Sequence, residues 1–187
     1  DLANSGAAFK DVAVYVWQCD RDGNYSMYSE GVTDQNYLRG VQIADADGVV
    51  KYTSIFPACY SGRWPHIHFE VYPNKASITD STKAIATSQV ALPKNACDAV
   101  YATEGYSASI KNLAGVTLAT DNVFGDDGGA SQLAAVSGDT SKGYTVKLTV
   151  PVDTRTTPTG GGAPAGGGGA PGGTPPSGAP GGAPPSN

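Results

Sequence analysis

Apolar and polar side chains alternate in several short segments of this chain, which is the pattern of β-strands that bury one face. In the first segment Val12, Val14 and Val16 occupy every second position, and turn-forming residues follow at 20–24. Residues 145–150 alternate in the same way. The pattern therefore predicts two strands that are far apart in sequence.

Two further strands are predicted around residues 40–43 and 49–52. The segment between them ends in Asp47-Gly48, and an Asp-Gly step favours the tight turn of a β-hairpin. We therefore expect these two strands to pair with each other.

The segment 66–72 is predicted to be a strand with two chemically different faces. One face is apolar and is expected to point into the core, whereas the other carries two imidazoles and a carboxylate. The apolar face consists of Ile67, Phe69 and Val71, and the other face of His66, His68 and Glu70.

Only residues 95–103 have a helical pattern, and a loop-rich excursion is expected from about residue 73 to 143. Many short strands separated by turn signals are typical of antiparallel sandwiches. We therefore predict a mostly-β fold, an antiparallel β-sandwich with loop-rich excursions and little helix, which forms one domain over residues 1–153.

The composition changes at the end of the chain. Residues 154–187 consist mostly of Gly, Pro, Ala, Ser and Thr, which bury too little apolar surface to offset the entropy of ordering. We predict a disordered linker or tail here. Such linkers usually connect folded units, so one hypothesis is a partner module that binds a polymer such as a carbohydrate; the other is a spacer that only increases solubility.

The chain is acidic, with a net charge of −5 and a pI near 4.8. It has no cluster of Lys or Arg that would attract nucleic acid or an anionic membrane, and no apolar run approaches the roughly 18 residues of a membrane span. We expect a soluble protein that acts on small molecules. The start at Asp1 without a signal segment indicates a processed or shortened chain.

Three cysteines, Cys19, Cys59 and Cys97, form no Cys-x-x-Cys pair, so a structural zinc site is not expected. Two alternatives remain for them. If the protein is exported, one disulfide is plausible and Cys59 with Cys97 is the pair that we favour; the alternative is that all three are buried thiols.

Both histidines of the chain lie in one tripeptide, His66-Ile67-His68. Residues i and i+2 of a strand point to the same face, so the two imidazoles can bind one metal ion. Copper, zinc and iron all accept nitrogen ligands, so the pair does not by itself identify the metal.

Two tyrosines lie near enough in sequence to complete such a site, Tyr60 just upstream of the histidines and Tyr25 after the first turn. A phenol has an unperturbed pKa of ~10, so it binds as phenolate only to a strongly charged ion. A trivalent ion such as ferric iron suits two phenolates better than zinc does. Such a centre would capture a chelating diol in preference to diffusible anions.

Five segments resemble, in the same order, the intradiol ring-cleavage dioxygenases, and most of all the secreted type of actinobacteria and fungi. The likeness extends from about residue 12 to 90. The segments are 14–20, 23–26, 37–42, 55–60 and 62–69, of which the last reads Gly-Arg-Trp-Pro-His-Ile-His-Phe.

The resemblance implies a non-haem Fe(III) centre, with Tyr25 and His66 as equatorial ligands and Tyr60 and His68 as axial ligands. It also implies that a catechol-type diol binds as a dianion and displaces Tyr60. O2 then cleaves the ring between the two hydroxyl-bearing carbons, which yields a muconic acid-type product. Which diol is the substrate stays open.

The resemblance further implies that Arg63, three residues before His66, stabilises the carbanion character of the bound diolate. Gln89 is a second candidate for a polar group near the reacting atoms. The alternative for Arg63 is a surface salt bridge, and the alternative for Gln89 is a solvent-exposed amide. Trp17 and Trp64 are expected to serve packing.

Two other functions stay open. One is a non-catalytic β-sandwich binding module beside the linker, and the other is a copper or zinc protein that uses the His-x-His pair without phenolates. The resemblance also leads us to expect a secreted protein whose amino-terminal part, which helps to enclose the active site in relatives, is missing.

Overall fold

Four antiparallel strands form the main sheet of the structure, a computed structural model that describes residues 1–156. The spatial order is β2-β1-β3-β4, and the strands are β1 (Ala13–Trp17), β2 (Arg39–Ile43), β3 (His66–Tyr72) and β4 (Ala86–Ala91). A second sheet is the hairpin of β5 (Ala135–Asp139) and β6 (Gly143–Lys147).

Helices are few in the described part of the chain. The two α-helices are α1 (Lys94–Tyr101) and α2 (Ser107–Ala114). The short 3-10 helices are Leu2–Asn4, Lys75–Ser77, Ser81–Lys83 and Leu118–Thr120. The prediction of a mostly-β, antiparallel fold with little helix is therefore confirmed.

The strand register aligns four side chains in one row across the main sheet. Trp17 of β1 pairs with His68 of β3, and Gln89 of β4 pairs with His68 from the other side. Arg39 of β2 pairs with Trp17. Because directly paired residues project to the same face, the row Arg39, Trp17, His68 and Gln89 lies on the face that carries the imidazoles.

Apolar side chains are buried in three clusters. The largest includes residues of α1 and α2, the end of β4, Cys59 and Trp64. The second contains Phe69 and Val71, two residues of the predicted core face of β3. The third contains Tyr25 together with Cys19 and Ala58, so the ring of this tyrosine is held by packing.

One predicted strand is wrong. The turn after β2 forms, since the N–H of Asp45 donates to the carbonyl of Val49 at 3.1 Å and Gly48 has φ of 72°. Residues 49–52, however, form no strand. The hydroxyl of Tyr52 donates to the Val14 carbonyl at 2.5 Å and accepts from the Gln42 N–H at 3.1 Å. A side chain, and not the backbone, of this segment therefore bonds to the sheet.

The predicted loop-rich excursion from residue 73 to 143 is wrong in part, because it contains β4, α2 and β5 as well as the expected helix, α1. The β4 sequence, Ala-Thr-Ser-Gln-Val-Ala, has little apolar alternation, and it forms a strand because its backbone pairs along β3. In α2 only Ser109 and Leu113 are buried, so its sequence shows a weak helical pattern.

Cys19, Cys59 and Cys97 are free, buried thiols, so the suggested Cys59–Cys97 disulfide is wrong and the second alternative holds. No helix within residues 1–156 combines the length and the apolar character needed to cross a bilayer. The linker or tail predicted for residues 154–187 lies, from residue 157 on, outside the described residues.

Candidate metal centre

Four side chains bring their donor atoms together beside the first residues of β3. Nε2 of His66 lies 3.1 Å from Nε2 of His68, 3.2 Å from the hydroxyl oxygen of Tyr25 and 3.3 Å from that of Tyr60. The Tyr25 oxygen is also 3.2 Å from Nε2 of His68. The structure thus brings all four of the predicted ligands into one cluster.

Tight turns place the two tyrosines. After β1 the carboxylate of Asp20 accepts the N–H of Asn24 at 2.9 Å, which closes the loop just before Tyr25. Gly23 in this loop has φ of 90°, and a Cβ there would lie 3.2 Å from Cβ of Tyr60. A glycine at this position therefore lets the two tyrosine-bearing loops pack closely.

A hydrogen bond fixes the tautomer of His66. Its Nδ1 lies 2.5 Å from the carbonyl oxygen of Trp64, which can only accept, so Nδ1 carries the proton. The lone pair of Nε2 then points toward the other three donor atoms. One lone pair cannot serve three neighbours within 3.3 Å, whereas a single cation between the four atoms would satisfy all of them.

Burial keeps both imidazoles neutral. Desolvation, followed by the charge of Arg63, lowers the pKa of His66 from 6.5 to about 3. Desolvation, followed by the proximity of His66, also lowers the pKa of His68 well below its ordinary value. Neutral imidazole is the form that binds metal ions, so the site is ready for a metal without the loss of a proton from these rings.

Burial raises the pKa of the two phenols, whereas it lowers that of the two imidazoles. Desolvation, followed by the proximity of Tyr60, raises the pKa of Tyr25 well above its ordinary value. Desolvation also raises the pKa of Tyr60. Both therefore stay protonated on their own, and a strongly charged cation is needed to convert them into phenolate ligands.

The donor set fits one small, highly charged cation. Separations of 3.1 to 3.3 Å are those of atoms placed about 2 Å from a common point, the usual length of metal bonds to nitrogen and oxygen ligands. Among residues 1–156 no group of three or more His, Cys, Asp or Glu side chains could hold a metal. The site that fits a metal in this part of the chain thus depends on its tyrosines.

Arg63 and Gln89 lie together next to this cluster. Both are 8% exposed, and Nη2 of Arg63 donates to Oε1 of Gln89 at 2.6 Å. The alternatives of a surface salt bridge for Arg63 and an exposed amide for Gln89 are therefore wrong. The guanidinium is close enough to lower the pKa of both histidines through its charge.

Asp121 is a residue of this region that the sequence pattern did not indicate. Its carboxylate accepts from Nε of Arg63 at 2.9 Å, and its side chain is completely buried. It stands 58 positions from Arg63 in a chain with many loop aspartates, so no local signal distinguishes it.

Trp17, which was expected to serve packing alone, stacks on a predicted ligand. Its ring lies 4.7 Å from the imidazole of His68 with an interplanar angle of 8°. The cross-strand pairing of β1 with β3 sets this contact. Trp64 follows the packing prediction, since its ring is buried and its Nε1 donates to the Leu92 carbonyl at 2.8 Å.

Two sequence comparisons relate this chain to dioxygenases. A family model described as Dioxygenase matches residues 2–68, a range that includes all four clustered donors. A chlorocatechol 1,2-dioxygenase of Rhodococcus opacus is 38% identical over 56 residues, which are 30% of this chain and 22% of that enzyme. The match thus spans less than a quarter of the length of this curated relative.

Two solved structures share the fold. An intradiol ring-cleavage dioxygenase from Tetranychus urticae superimposes with a TM-score of 0.68 at 21% identity, over 81% of this chain and 75% of that chain. The dioxygenase Tetur07g02040 superimposes with a TM-score of 0.67 at 20% identity and the same coverage. The resemblance expected from the sequence motifs is therefore confirmed by a sequence match and by a shared fold.

Proposed function

We propose, because the chain resembles the intradiol ring-cleavage dioxygenases in sequence and fold, that it cleaves catechol-type diols with O2 at a non-haem ferric centre. The products would be of the muconic acid type. The observation that carries this proposal is the convergence of two phenol oxygens and one imidazole nitrogen, that of His68, within 3.3 Å of Nε2 of His66. Tyr25, Tyr60, His66 and His68 would hold the iron.

The iron, when bound, would supply a Lewis acid that lowers the pKa of the diol hydroxyls, and a deprotonated diol is electron-rich enough to react with O2. Of the two tyrosines, Tyr60 is the one that a diol would replace more readily, because it is partly exposed whereas Tyr25 is 1% exposed. Burial raises the pKa of the Tyr60 hydroxyl, so its oxygen is basic enough to take a proton from a diol hydroxyl when the diol displaces it.

Arg63 would act on the charge that develops on the substrate. Its Nε and Nη2 donate to Asp121 and Gln89, and no described residue accepts a hydrogen bond from its Nη1. A fixed guanidinium with one free nitrogen can stabilise the carbanion character of a ring that is attacked by O2, without reorganisation during the reaction. Gln89 would hold Nη2 in place through its amide oxygen.

Two other functions compete with this proposal, a non-catalytic binding module and a copper or zinc protein. The raised pKa of both phenols favours the ferric centre, because a divalent ion stabilises two buried phenolates less than a trivalent ion does. Secretion, and a carbohydrate-binding partner module beyond the Gly/Pro-rich segment, are parts of the proposal that follow from the resemblance and the composition.

The colour of the iron-loaded protein separates the three functions. Ferric phenolate absorbs visible light, so the wild type is expected to be reddish, whereas the two competing functions predict no such ferric-phenolate band. Tyr60→Phe should shift or weaken this band. Tyr28→Phe is the matched control, since Tyr28 packs against the buried cluster that contains Tyr25 but is not one of the four proposed ligands, and the band of this variant should stay that of the wild type.

Oxygen uptake measured with a panel of diols, together with the absorbance of the ring-opened product, tests the reaction itself. We expect uptake with at least one of catechol, protocatechuate and 1,2,4-benzenetriol, and none with resorcinol, whose hydroxyls are too far apart to chelate. A coloured, iron-loaded protein that consumes no O2 with any of these diols would leave a metal-binding module and refute the enzymatic proposal.

A further inference from the structure

The carboxylate of Asp121 connects two parts of the candidate centre. One of its oxygens, Oδ2, accepts from Nε of Arg63 at 2.9 Å and from the backbone N–H of Trp64 at 2.7 Å. The Asp121 side chain is 0% exposed and that of Arg63 is 9% exposed, so these charge-assisted bonds are shielded from water. A single oxygen atom therefore fixes a guanidinium and a peptide group at once.

From the Trp64 backbone the hydrogen bonds continue to His66, and from the guanidinium they continue to Gln89, the strand neighbour of His68. The N–H held by Asp121 is that of Trp64, and the carbonyl oxygen of the same residue accepts the proton of Nδ1 of His66 at 2.5 Å. The guanidinium donates to Gln89, which pairs with His68 across β3 and β4. Partners of this kind set the ring orientation of metal-binding histidines.

A purely structural role in the local turn would explain only some of the contacts of this carboxylate. The other oxygen, Oδ1, accepts from the backbone N–H groups of Val123 at 2.8 Å and Phe124 at 3.1 Å, which closes a turn. That local role uses Oδ1, which also accepts a longer bond of 3.5 Å from Nη2 of Arg63, and it leaves the bonds to Arg63 and to the Trp64 N–H without a function in the turn.

We propose that Asp121 is a positioning residue of the centre, which through Arg63 and the Trp64 peptide directs the guanidinium toward the substrate and Nε2 of His66 toward the metal. The inference deepens the proposed function and rests on it for its catalytic consequence. The effect on His66 is measurable without iron and without a substrate.

Two substitutions separate positioning from turn closure. Asp121→Ser keeps a side-chain oxygen that can accept from the turn N–H groups, as serine does at helix and turn starts, but it cannot also reach Arg63. Asp121→Asn keeps the shape of the side chain, but one of the two carboxylate oxygens becomes an NH2 group. This NH2 group must then face hydrogen-bond donors, either those of the turn or those of Arg63 and Trp64. Asp127→Asn is the matched control, because Asp127 closes the next turn, accepting from Gly129 at 2.7 Å, without contact to Arg63.

The first measurement is the imidazole NMR spectrum of the metal-free, 15N-labelled protein. The chain has two histidines, so the signals are simple to assign. In the wild type and in Asp127→Asn, His66 is expected as the Nδ1–H tautomer with a strongly hydrogen-bonded proton. In Asp121→Ser and Asp121→Asn this proton signal should move upfield or exchange with water. An unchanged signal in both folded variants would overturn the proposal.

The second measurement is iron affinity by competition with a chelator. Both Asp121 variants should bind Fe(III) about 10- to 100-fold more weakly than the wild type, the usual effect of losing a partner of a metal-binding residue. Asp127→Asn should bind iron as the wild type does. If Asp127→Asn lowered the affinity as much as the Asp121 variants do, general loss of stability would explain the effect and the proposal would fail.

The third measurement is the spectral titration of iron-loaded protein with 4-nitrocatechol. If Asp121 acts through Arg63, Asp121→Ser should weaken the binding of 4-nitrocatechol when Arg63 is present, but should weaken it little further in a protein that already carries Arg63→Lys. If the two residues acted independently, the two losses of affinity would multiply. If the wild type cleaved no diol but the His66 proton signal changed in the Asp121 variants as expected, only the proposed function would be refuted. Normal cleavage by Asp121→Ser with an unchanged His66 signal would refute this inference alone.

Discussion

His66 and His68 are held in two different ways. A hydrogen bond to the Trp64 carbonyl fixes the ring of His66, whereas His68 makes no such bond through Nδ1 to any described residue and instead lies flat against Trp17. The pair was predictable from sequence, because i and i+2 positions of a strand always share a face. Its supports were not, because they come from the backbone conformation before β3 and from a neighbouring strand.

The stacking contact gives a prediction for Trp17. Trp17→Leu is expected to weaken Fe(III) affinity by roughly 2- to 10-fold, since an aromatic stack contributes about 0.5–1.5 kcal/mol and without it the His68 ring can rotate. Trp17→Phe should retain most of the affinity. Chelator competition measures both, and equal affinities for the Leu variant and the wild type would show that packing around the ring suffices.

The two histidines also predict how the stability of the metal-free protein depends on pH. Their pKa values are lowered in the folded state, to about 3 for His66, so the unfolded chain binds more protons below pH 6.5. The stability that the neutral rings contribute is present above pH 6.5 and is lost as the pH falls. Between pH 7 and pH 5 we expect His66 to lower the free energy of unfolding by about 2 kcal/mol, and His68 to lower it further in the same direction.

Urea denaturation at the two pH values measures this loss, and the His66→Gln, His68→Gln double variant is the control that should lack it. Glu70 acts in the opposite direction, because burial raises its pKa and its contribution is present at low pH and lost as the pH rises. Glu70 is common to both proteins, so its contribution cancels in the comparison. Equal pH dependence in the two proteins would contradict the prediction.

At the scale of elements, β3 was predictable and its neighbours were less so. Its alternation marks both its bounds and its two faces, and the structure has the strand at His66–Tyr72. The partner β4 carries no such pattern, and it forms because β3 offers backbone groups that must be paired. Strand pairing depends on two segments. The sequence of one segment therefore predicts a strand only when its own apolar and polar side chains alternate.

The turn that carries Asp121 depends on a glycine. The N–H of Gly125 donates to the carbonyl of Asp121 at 2.9 Å, and a Cβ at residue 125 would lie 2.6 Å from that oxygen. We expect Gly125→Ala to displace Asp121 and to lower the free energy of unfolding by about 1–3 kcal/mol, as overpacking does. Iron affinity should fall with it.

Gly115→Ala is the control for this substitution. A Cβ at residue 115 would lie at an ordinary contact distance of 3.5 Å from the nearest atom, and the backbone there has no positive φ. Its urea midpoint and iron affinity should be close to those of the wild type. If Gly125→Ala behaved like Gly115→Ala, the turn would be more adaptable than the close contact implies.

At the scale of the whole molecule, burial determines the chemistry of the cysteines. Desolvation raises the pKa of Cys19, Cys59 and Cys97 to about 12, so at neutral pH they are protonated and enclosed by packing. We expect none of the three to react rapidly with DTNB in the folded protein and all three to react in guanidinium. Rapid reaction of even one thiol before unfolding would show that its cluster opens in solution.

The whole fold also brings together what the sequence separates. The donors of the candidate centre come from the loop after β1, the loop before β3 and β3 itself, and their motifs lie in one stretch of 44 residues between Tyr25 and His68. Asp121 lies outside that stretch and reaches the centre only because the segment after α2 folds back onto Arg63 and Trp64.

The amino-acid sequence by itself determined the strands that alternate, the paired imidazoles, and, through the order of the motifs, the tyrosines beside them. These features depend on local geometry and on residue types, which one strand or loop carries alone. Only the tertiary structure decided which imidazole nitrogen bears the proton, that Arg63 is buried against Asp121, and that Trp17 supports His68. Those properties arise from desolvation and from contacts between distant segments, and no single segment contains the groups that exclude the water.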